Sequence, residues 1–361
     1  MKTSRAVVFH GKGVPLTFED VPLPEPGAGE VLVRNEYATL CRSDLNTYSG
    51  KRTEKTPTIL GHEVVGRIEA IGSGVPKNDL RGAELRVGDR VTWAIYASNP
   101  DSPLARVGIP QKAEGLFKYG HERVETGSHL HGGLAEHCLL RANTPIARVD
   151  ASVPLPLVAV ANCAVATVAG AFRLAGDVAG CEVHVAGAGM LGTIACAMAR
   201  VAGAKRVTAF DVVEERLESA LRFGADRGIR LGDAAAEERF VVPEPADVAF
   251  DFSGVPATME ALIDRLGVGG TLVLVGATYP QPPIRVHAER LVRSLLTLKG
   301  LHNYNERDLV AAVEFLERHH SRFPFAGLVH DRFGLHQATE AFEYGLSSGA
   351  YRVGLRIPPR G

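Results

Sequence analysis

In the first third of the chain, apolar residues come in short runs closed by turn signals. Ala6–Phe9 is one such run, and Val31–Val33 follows the turn-rich PEPGAG. Val64–Ile71 ends at Gly72 and Gly74, and a further run opens at Val91 after Gly88-Asp89. Short apolar runs bounded by Gly, Pro and Asp predict strands joined by tight turns. Between Tyr96 and Tyr119, prolines and glycines predict irregular chain. The pattern changes from Glu182 to about Lys299, where VHVAG, RVTAFD, VAFDFSG and TLVLVGA alternate with helix-like segments. Such alternation predicts βα units, a parallel sheet and a doubly wound α/β fold. After Gly300, the amphipathic stretch Asp308–His319 predicts a helix, and Tyr351–Ile357 a last strand. No internal repeat or low-complexity tract interrupts this order.

One run tests the membrane question. Ala151–Phe172 carries no charge, which is long enough to raise it. Pro154, Pro156, Asn162 and many Ala and Gly predict weak hydrophobicity and a poor helix at its start. The stretch therefore reads as a buried segment at a domain junction. At 361 residues the chain exceeds the usual growth of one core, so two domains are expected. The start, MKTSRAVVFHGKG, has too short an apolar run for a signal-peptide core. With a formal net charge of -1, no basic block and no acidic tail, nothing points to nucleic acid. Five scattered cysteines without a CxxC argue against a disulfide framework and for a reducing compartment, expected to be the cytoplasm.

Candidate chemistry begins where strand-like Val183–Val185 runs into AGAGMLG. Gly187, Gly189 and Gly192 form G-x-G-x-x-G, and Met190 and Leu191 lead into a helix ending near Val201. The three glycines allow a tight turn, close approach to a pyrophosphate and close helix–strand packing. A second strand, Arg206–Phe210, leads to Asp211, 24 residues after Gly187. An acidic side chain there accepts hydrogen bonds from adenosine ribose hydroxyls and repels a 2′-phosphate, which favours NAD over NADP. The plain alternative is a strand-end aspartate in a glycine-rich turn that binds nothing, and the βαβ context weighs against it.

A second set points to a metal. Cys41 and His62 lie 21 residues apart, and Cys163 follows much later in ANCAVAT. Two thiolates and one neutral imidazole suit tetrahedral zinc with the fourth position open. Such a site is neutral overall, so an alcohol held there loses its proton more readily, with its pKa drawn toward neutrality. Taken singly, each residue is bland: a lone buried Cys or His is usually core.

Together GHEVVGRIEAIGSGV, CRSD, GDRV, GGLAEH and the glycine loop resemble the zinc-dependent medium-chain dehydrogenase/reductase superfamily, which includes the zinc alcohol dehydrogenases. The likeness runs essentially end to end. It implies a mainly β, GroES-like catalytic domain at 1–164 and 303–361. It also implies a Rossmann cofactor domain at 165–302, with the active site in the cleft between the two. It implies that Cys41, His62 and Cys163 bind one catalytic zinc, that Glu63 is a carboxylate able to exchange onto it, and that Asp44 holds the second nitrogen of His62. Ser43 matches the hydroxyl that takes the substrate proton. Arg42 and Arg352 match residues neutralising the cofactor pyrophosphate, Arg216 one near the adenosine ribose, and Thr167 one on the nicotinamide side. Gly276 joins the implied cofactor contacts.

The chain also departs from the family. Where many relatives hold a second, structural zinc with four cysteines, alignment gives Asn99, Ser102, Ala105 and Ala113, so packing and hydrogen bonds are expected to hold that lobe. His121, His129, His131 and His137 match no metal motif and read as ordinary loop or strand histidines. Asn46 stands where relatives end a proton relay in a histidine. An amide takes up no proton near neutral pH, so beyond Ser43 the relay ends in water or in another group.

For the substrate, Tyr48, Arg52, Trp93 and Ile95 are candidate pocket walls. Aromatic and aliphatic walls suit a bulky or cyclic alcohol, while an inward Arg52 suits an anion. YGHE, GGLAEH and ANCAVAT resemble dehydrogenases of phosphonate metabolism, and the overall pattern also suits hydroxycamphor dehydrogenases. A zinc-free, quinone reductase-like or binding member of the fold would have lost the three ligands, and all are present. Polyol dehydrogenases often place Glu at the third ligand position, and Cys163 argues against that reading. The resemblance further implies a homodimer paired through an edge strand around Leu296–Asn303. The expectation is a zinc- and NAD-dependent enzyme oxidising an alcohol, secondary and of unknown identity, to a ketone or aldehyde.

Overall fold

The computed structural model describes residues 2–124, 130–232 and 244–359. Along the chain the N-terminal part runs β1 (Thr3–Val8), β2 (Thr17–Pro22), β3 (Val31–Leu40), α1 (Arg42–Tyr48), β4 (Glu63–Ile71) and β5 (Arg90–Trp93). The stretch expected to be irregular holds short regular pieces instead: β6 (Tyr96–Ala97), α2 (Pro103–Arg106), a 3-10 turn and β7 (Phe117–Lys118). Pieces this short leave no periodicity to read. β8 (His137–Leu140) and β9 (Ile146–Arg148) lead to α3 (Leu155–Val160), a π turn at Ala161–Val165, and α4 (Ala166–Ala175). This run is buried as expected, but it corrects the expectation of weak hydrophobicity and of a poor helix at its start. Its mean hydropathy is 1.9, and Pro154 and Pro156 sit at the helix start, where proline costs no hydrogen bond. It passes a length-and-composition test for crossing a membrane, but 72% of it is buried inside the protein, as in a core helix.

The middle of the chain supplies β10 (Glu182–Ala186), α5 (Met190–Val201), β11 (Arg206–Asp211), α6 (Glu214–Arg222), β12 (Arg227–Arg230), β13 (Ala246–Asp251), α7 (Pro256–Asp264), β14 (Leu266–Leu274), α8 (Ala288–Arg293) and β15 (Thr297–Gly300). The last part adds α9 (Glu306–His319), β16 (Val329–Gly334), α10 (Ala338–Ser347) and β17 (Arg352–Arg356). Asn305 caps α9, accepting from the N–H of Asp308 while the Asp308 carboxylate accepts from the N–H of Asn305.

Contacts divide the chain into two compact units. One comprises 1–166, 305–321 and 325–361, the other 167–304 and 322–324. The first is mainly β. Its seven-stranded sheet runs β16-β17-β3-β4-β5-β9 with β8 beside β3, and β1 and β2 form a separate hairpin. Alternating buried positions of β1, β3, β4 and β8 build its core with Trp93, Leu134 and Phe342. The second unit is one parallel six-stranded sheet in the order β12-β11-β10-β13-β14-β15. That order reverses beside β10, so the crevice for a ligand lies at the C-terminal end of β10. The fold is the expected Rossmann α/β unit with a GroES-like partner.

Candidate metal centre and nucleotide loop

Three segments of the mainly β unit bring soft donors together. Cys41 sits between β3 and α1, His62 just before β4, and Cys163 in the π turn. One donor atom from each lies within 4.8 Å of the others. The Cys163 Sγ is 3.6 Å from the His62 Nε2, so that nitrogen faces the sulfurs. Cys41 and His62 are nine-tenths or more buried. Two sulfurs and one imidazole nitrogen converging in a buried spot suit zinc and leave a coordination position free. Packed this closely, the three groups share their protons unevenly. The hydrogen bond from the Cys163 thiol, with Arg352 close by, holds Cys41 well below its usual range, and the Cys163 thiol is pushed well above. Burial opposes charge on His62, yet Asp44 and the Cys41 thiolate push its pKa up to about 9. An environment that favours a thiolate and an imidazolium together is one a divalent cation would relieve. The donor set fits zinc.

Asp44 acts differently from the expectation. Its carboxylate is 3.6 Å from the His62 Nδ1, too long for a hydrogen bond, and that nitrogen has no hydrogen-bond partner among the described residues. Its oxygens accept instead from the backbone N–H groups of Cys41, at 2.8 Å, and Gly61, at 3.2 Å. Asp44 thus ties the loop of one ligand to the loop of another. Gly61 has φ +90°, a left-handed conformation that side chains resist, and this kink delivers His62.

Glu63 and Arg352 are the centre's other charges. Glu63 is fully buried and receives the Arg352 guanidinium at 2.8 to 3.0 Å on both oxygens, and the Thr39 hydroxyl at 2.5 Å. The same guanidinium lies 3.7 Å from the Cys41 Sγ. Burial raises the Glu63 pKa and the arginine pulls it back. Arg352, expected on a pyrophosphate, is placed here on the carboxylate. Ser43 is half-buried and Arg42 exposed, both in the first turn of α1.

The pocket candidates scatter. Trp93 is a core residue, 1% exposed, and Ile95 is also buried. Tyr48 stacks on Phe342 with ring centroids 4.5 Å apart. Arg52 meets Glu54 at 2.6 Å, and the other partner of that carboxylate is His121, at 3.0 Å. The His121 ring lies 5.1 Å from that of His62. Thr39, Glu54 and Asn162 are site neighbours the sequence did not mark, because nothing local distinguishes them, and His121, read as an ordinary histidine, is also beside the site. His131 and His137 are hydrogen-bonded within the fold, and His129 lies outside the described residues. In the cysteine-free lobe, Ser102 caps α2 by accepting from the Ala105 N–H, Asn99 accepts from the Asp101 N–H, and Ala113 is buried.

In the Rossmann unit the glycine loop follows β10 directly. Gly189 is the N-cap of α5, and Met190 and Leu191 form its first turn. A Cβ on Gly192 would meet the Gly187 carbonyl oxygen at 1.9 Å, so only glycine fits. Backbone amides at a helix start favour an anion, which is what the spacing of these glycines leads to expect. The Asp211 carboxylate accepts from the N–H of Ala188, in the loop, at 2.7 Å, and of Val213 at 3.0 Å. Those bonds hold it beside the glycine turn. Arg216 is half-buried in α6, Thr167 lies in α4, and Gly276 follows β14 pressed against Gly254.

The family model described as alcohol dehydrogenase GroES-like domain matches residues 27–150, and that of a zinc-binding dehydrogenase matches residues 191–318. The chain is 29% identical over 352 residues to an L-threonine 3-dehydrogenase of Saccharopolyspora erythraea, covering 94% of this chain and 95% of the relative. It is 29% identical over 367 residues to an NDMA-dependent alcohol dehydrogenase of Amycolatopsis methanolica, covering 95% of each. Among solved structures, an alcohol dehydrogenase of Thermotoga maritima superposes with a TM-score of 0.90 at 27% identity, covering 98% of this chain and 99% of that one.

Proposed function

Because this chain belongs to the zinc-dependent medium-chain dehydrogenase/reductase superfamily, we propose that it oxidises an alcohol, preferably secondary, to a ketone or aldehyde by hydride transfer to NAD. It is an oxidoreductase acting on CH–OH groups, as its relatives are. The observation that carries the fuller reading is the convergence of Cys41, His62 and Cys163 on one buried spot.

Zinc at that spot supplies a Lewis acid that makes the alcohol hydroxyl more acidic. The chain's own groups do the rest. Ser43 takes the hydroxyl proton as its own hydroxyl proton passes on to water, since the amide of Asn46 takes up none. Arg352 and Thr39 hold Glu63 in place, while Asp44 fixes the loops of two ligands. The Gly187–Gly192 loop binds the pyrophosphate through backbone N–H groups, with Arg42 as a further positive charge. Asp211 supports NAD, since a carboxylate held at the loop disfavours a 2′-phosphate, and Arg216, Thr167 and Gly276 line the remaining cofactor contacts.

Arg52 already shares its charge with Glu54, which supports a neutral, bulky or cyclic alcohol, such as a hydroxylated terpene, over a hydroxyalkylphosphonate. The threonine-oxidising relatives keep a zwitterionic secondary alcohol in view. Five unpaired cysteines support a reducing, cytoplasmic setting. The partner of choice is a second copy of the chain, paired along β15, which ends the six-stranded sheet. Exposed Val268 (80%), Val292 (70%) and Leu295 (71%) on neighbouring segments support that surface.

The test is a substrate panel of cyclic secondary alcohols, L-threonine and hydroxyalkylphosphonates, each with NAD and with NADP. Reduction of NAD by a secondary alcohol, abolished by a zinc chelator, is the expected result. Turnover that survives complete removal of zinc would overturn the metal reading, and equal use of both nucleotides would overturn the role of Asp211.

A further inference from the structure

Strands β4 and β5 pair in register only at Gly66–Val91 and Arg67–Arg90. Nearer the metal centre their backbones no longer bond to each other, so carbonyls there need other donors. The Thr92 hydroxyl donates to the Val64 carbonyl at 3.0 Å. One step closer, a single side chain serves both strands. The Asn162 amide nitrogen donates to the His62 carbonyl at 2.9 Å and to the Trp93 carbonyl at 2.8 Å. Asn162 is fully buried and adjoins Cys163, so this one amide touches the backbone of one ligand and neighbours the next.

Its own segment is unusual. Ala161–Val165 is a π turn inside a helical run, with regular helix on both sides. Such a turn accommodates one extra residue, and π turns of this kind gather at functional sites. In it Asn162 reaches the ends of both strands while Cys163, the one residue of the five not fully buried, faces His62. An aliphatic side chain at 162 would leave two buried carbonyls without their donor, and the cost of such a loss is met by backbone movement.

We propose that Asn162 is a positioning residue for the metal centre: its amide pins the His62 and Trp93 carbonyls to the π turn and so sets the spacing of the His62 and Cys163 donors. The role rests on the reading of Cys41, His62 and Cys163 as ligands. It assigns Asn162 no contact with substrate or cofactor. Partners that orient ligands typically alter metal affinity by about 10–100-fold when removed.

The experiment compares the wild type with Asn162→Leu, which removes both donated bonds at similar volume, and Asn162→Ser, which is too short to span both carbonyls. Zinc affinity is measured by competition with a chromophoric chelator. Geometry is read from the visible absorption bands of the Co²⁺-substituted proteins, which respond to ligand placement. The expected result is zinc binding weakened about 10–100-fold and shifted Co²⁺ bands in Asn162→Leu, with a smaller change in Asn162→Ser. Folded variants with wild-type affinity and wild-type bands overturn the proposal. Should Asn162→Leu not fold, Asn162→Ser decides by the same readings. Failure of both to fold in excess zinc assigns Asn162 to scaffold alone and also overturns it. A wild type that binds neither metal would instead sink the ligand assignment, which keeps the two failures apart.

Discussion

Arg352 and Glu63 show at the scale of single residues how the centre holds opposing charges. Both are buried, and the guanidinium covers both carboxylate oxygens. Removing one partner leaves the other's charge without compensation, a loss of about 3–5 kcal/mol. Arg352→Met is therefore expected to lower unfolding stability by that order in urea titrations. The loss should shrink toward low pH, where the Glu63 carboxyl takes up a proton and no longer needs the cation. Adding Glu63→Gln should recover part of it, and a pair of single variants with additive effects would show that the two groups are not coupled. Ser43 makes a separate case, since its proposed role is in the chemistry and not in the packing. Ser43→Ala is expected to lower kcat for alcohol oxidation about 10²-fold while leaving NAD affinity unchanged. Near-normal turnover of that variant across neutral pH would mean that the proton leaves by another route.

Strand β10 carries the consequences of a single buried histidine at the scale of an element. His184 is 1% exposed at the middle of the parallel sheet, and its Nδ1 has no hydrogen-bond partner among the described residues. Burial opposes its charged form and holds its pKa down to about 4, from an ordinary 6.5. The unfolded chain therefore binds a proton at this site as pH falls through 6.5, while the folded chain does so only near 4. Stability is fully present above the unfolded value and is lost between the two, by about 3 kcal/mol in all. His184→Leu is expected to flatten the fall in urea midpoint across that window and to change little at pH 8. An unaltered acid slope in the variant would assign the sensitivity to other groups.

At the scale of the whole molecule, the proposed dimer is open to test. Leu295 follows α8 with φ +54°, a left-handed conformation that costs a leucine energy, and yet it is 71% exposed. The proposed dimer would give this apolar side chain a surface to cover. Ser294, just before it, accepts from the Gly269 N–H, which brings the Val268 and Leu295 segments together. Leu295→Asn keeps a residue tolerant of the left-handed region and removes the apolar contact. Light scattering should show a wild-type dimer at micromolar concentration and a dissociation constant raised about tenfold or more in the variant. A wild type that stays monomeric would remove the basis for pairing along β15.

The sequence by itself determined whatever depends on local order. The short apolar runs closed by turns, the βα alternation and the strand-turn-helix setting of Gly187, Gly189 and Gly192 are patterns of neighbouring residues, and α5, α9, β4 and β17 follow from them. The donor types at 41, 62 and 163 were also legible, because soft ligands suit few other tasks together. Only the tertiary structure decided which groups face one another. Arg352 meets Glu63 across 289 residues of chain, and Asn162 meets the His62 carbonyl across 100. Asp44 was expected on the His62 ring, yet its hydrogen bonds go to the Cys41 and Gly61 amides, a choice made by a loop kink at Gly61. The Leu155–Ala175 run reads as buried from the sequence and is mostly buried, but its start is helical, because Pro154 is the N-cap and Pro156 lies in the first turn, where no donor is required. Local pattern encodes periodicity and turn chemistry, while the pairing of distant polar groups is settled only when burial removes water and each must find another partner.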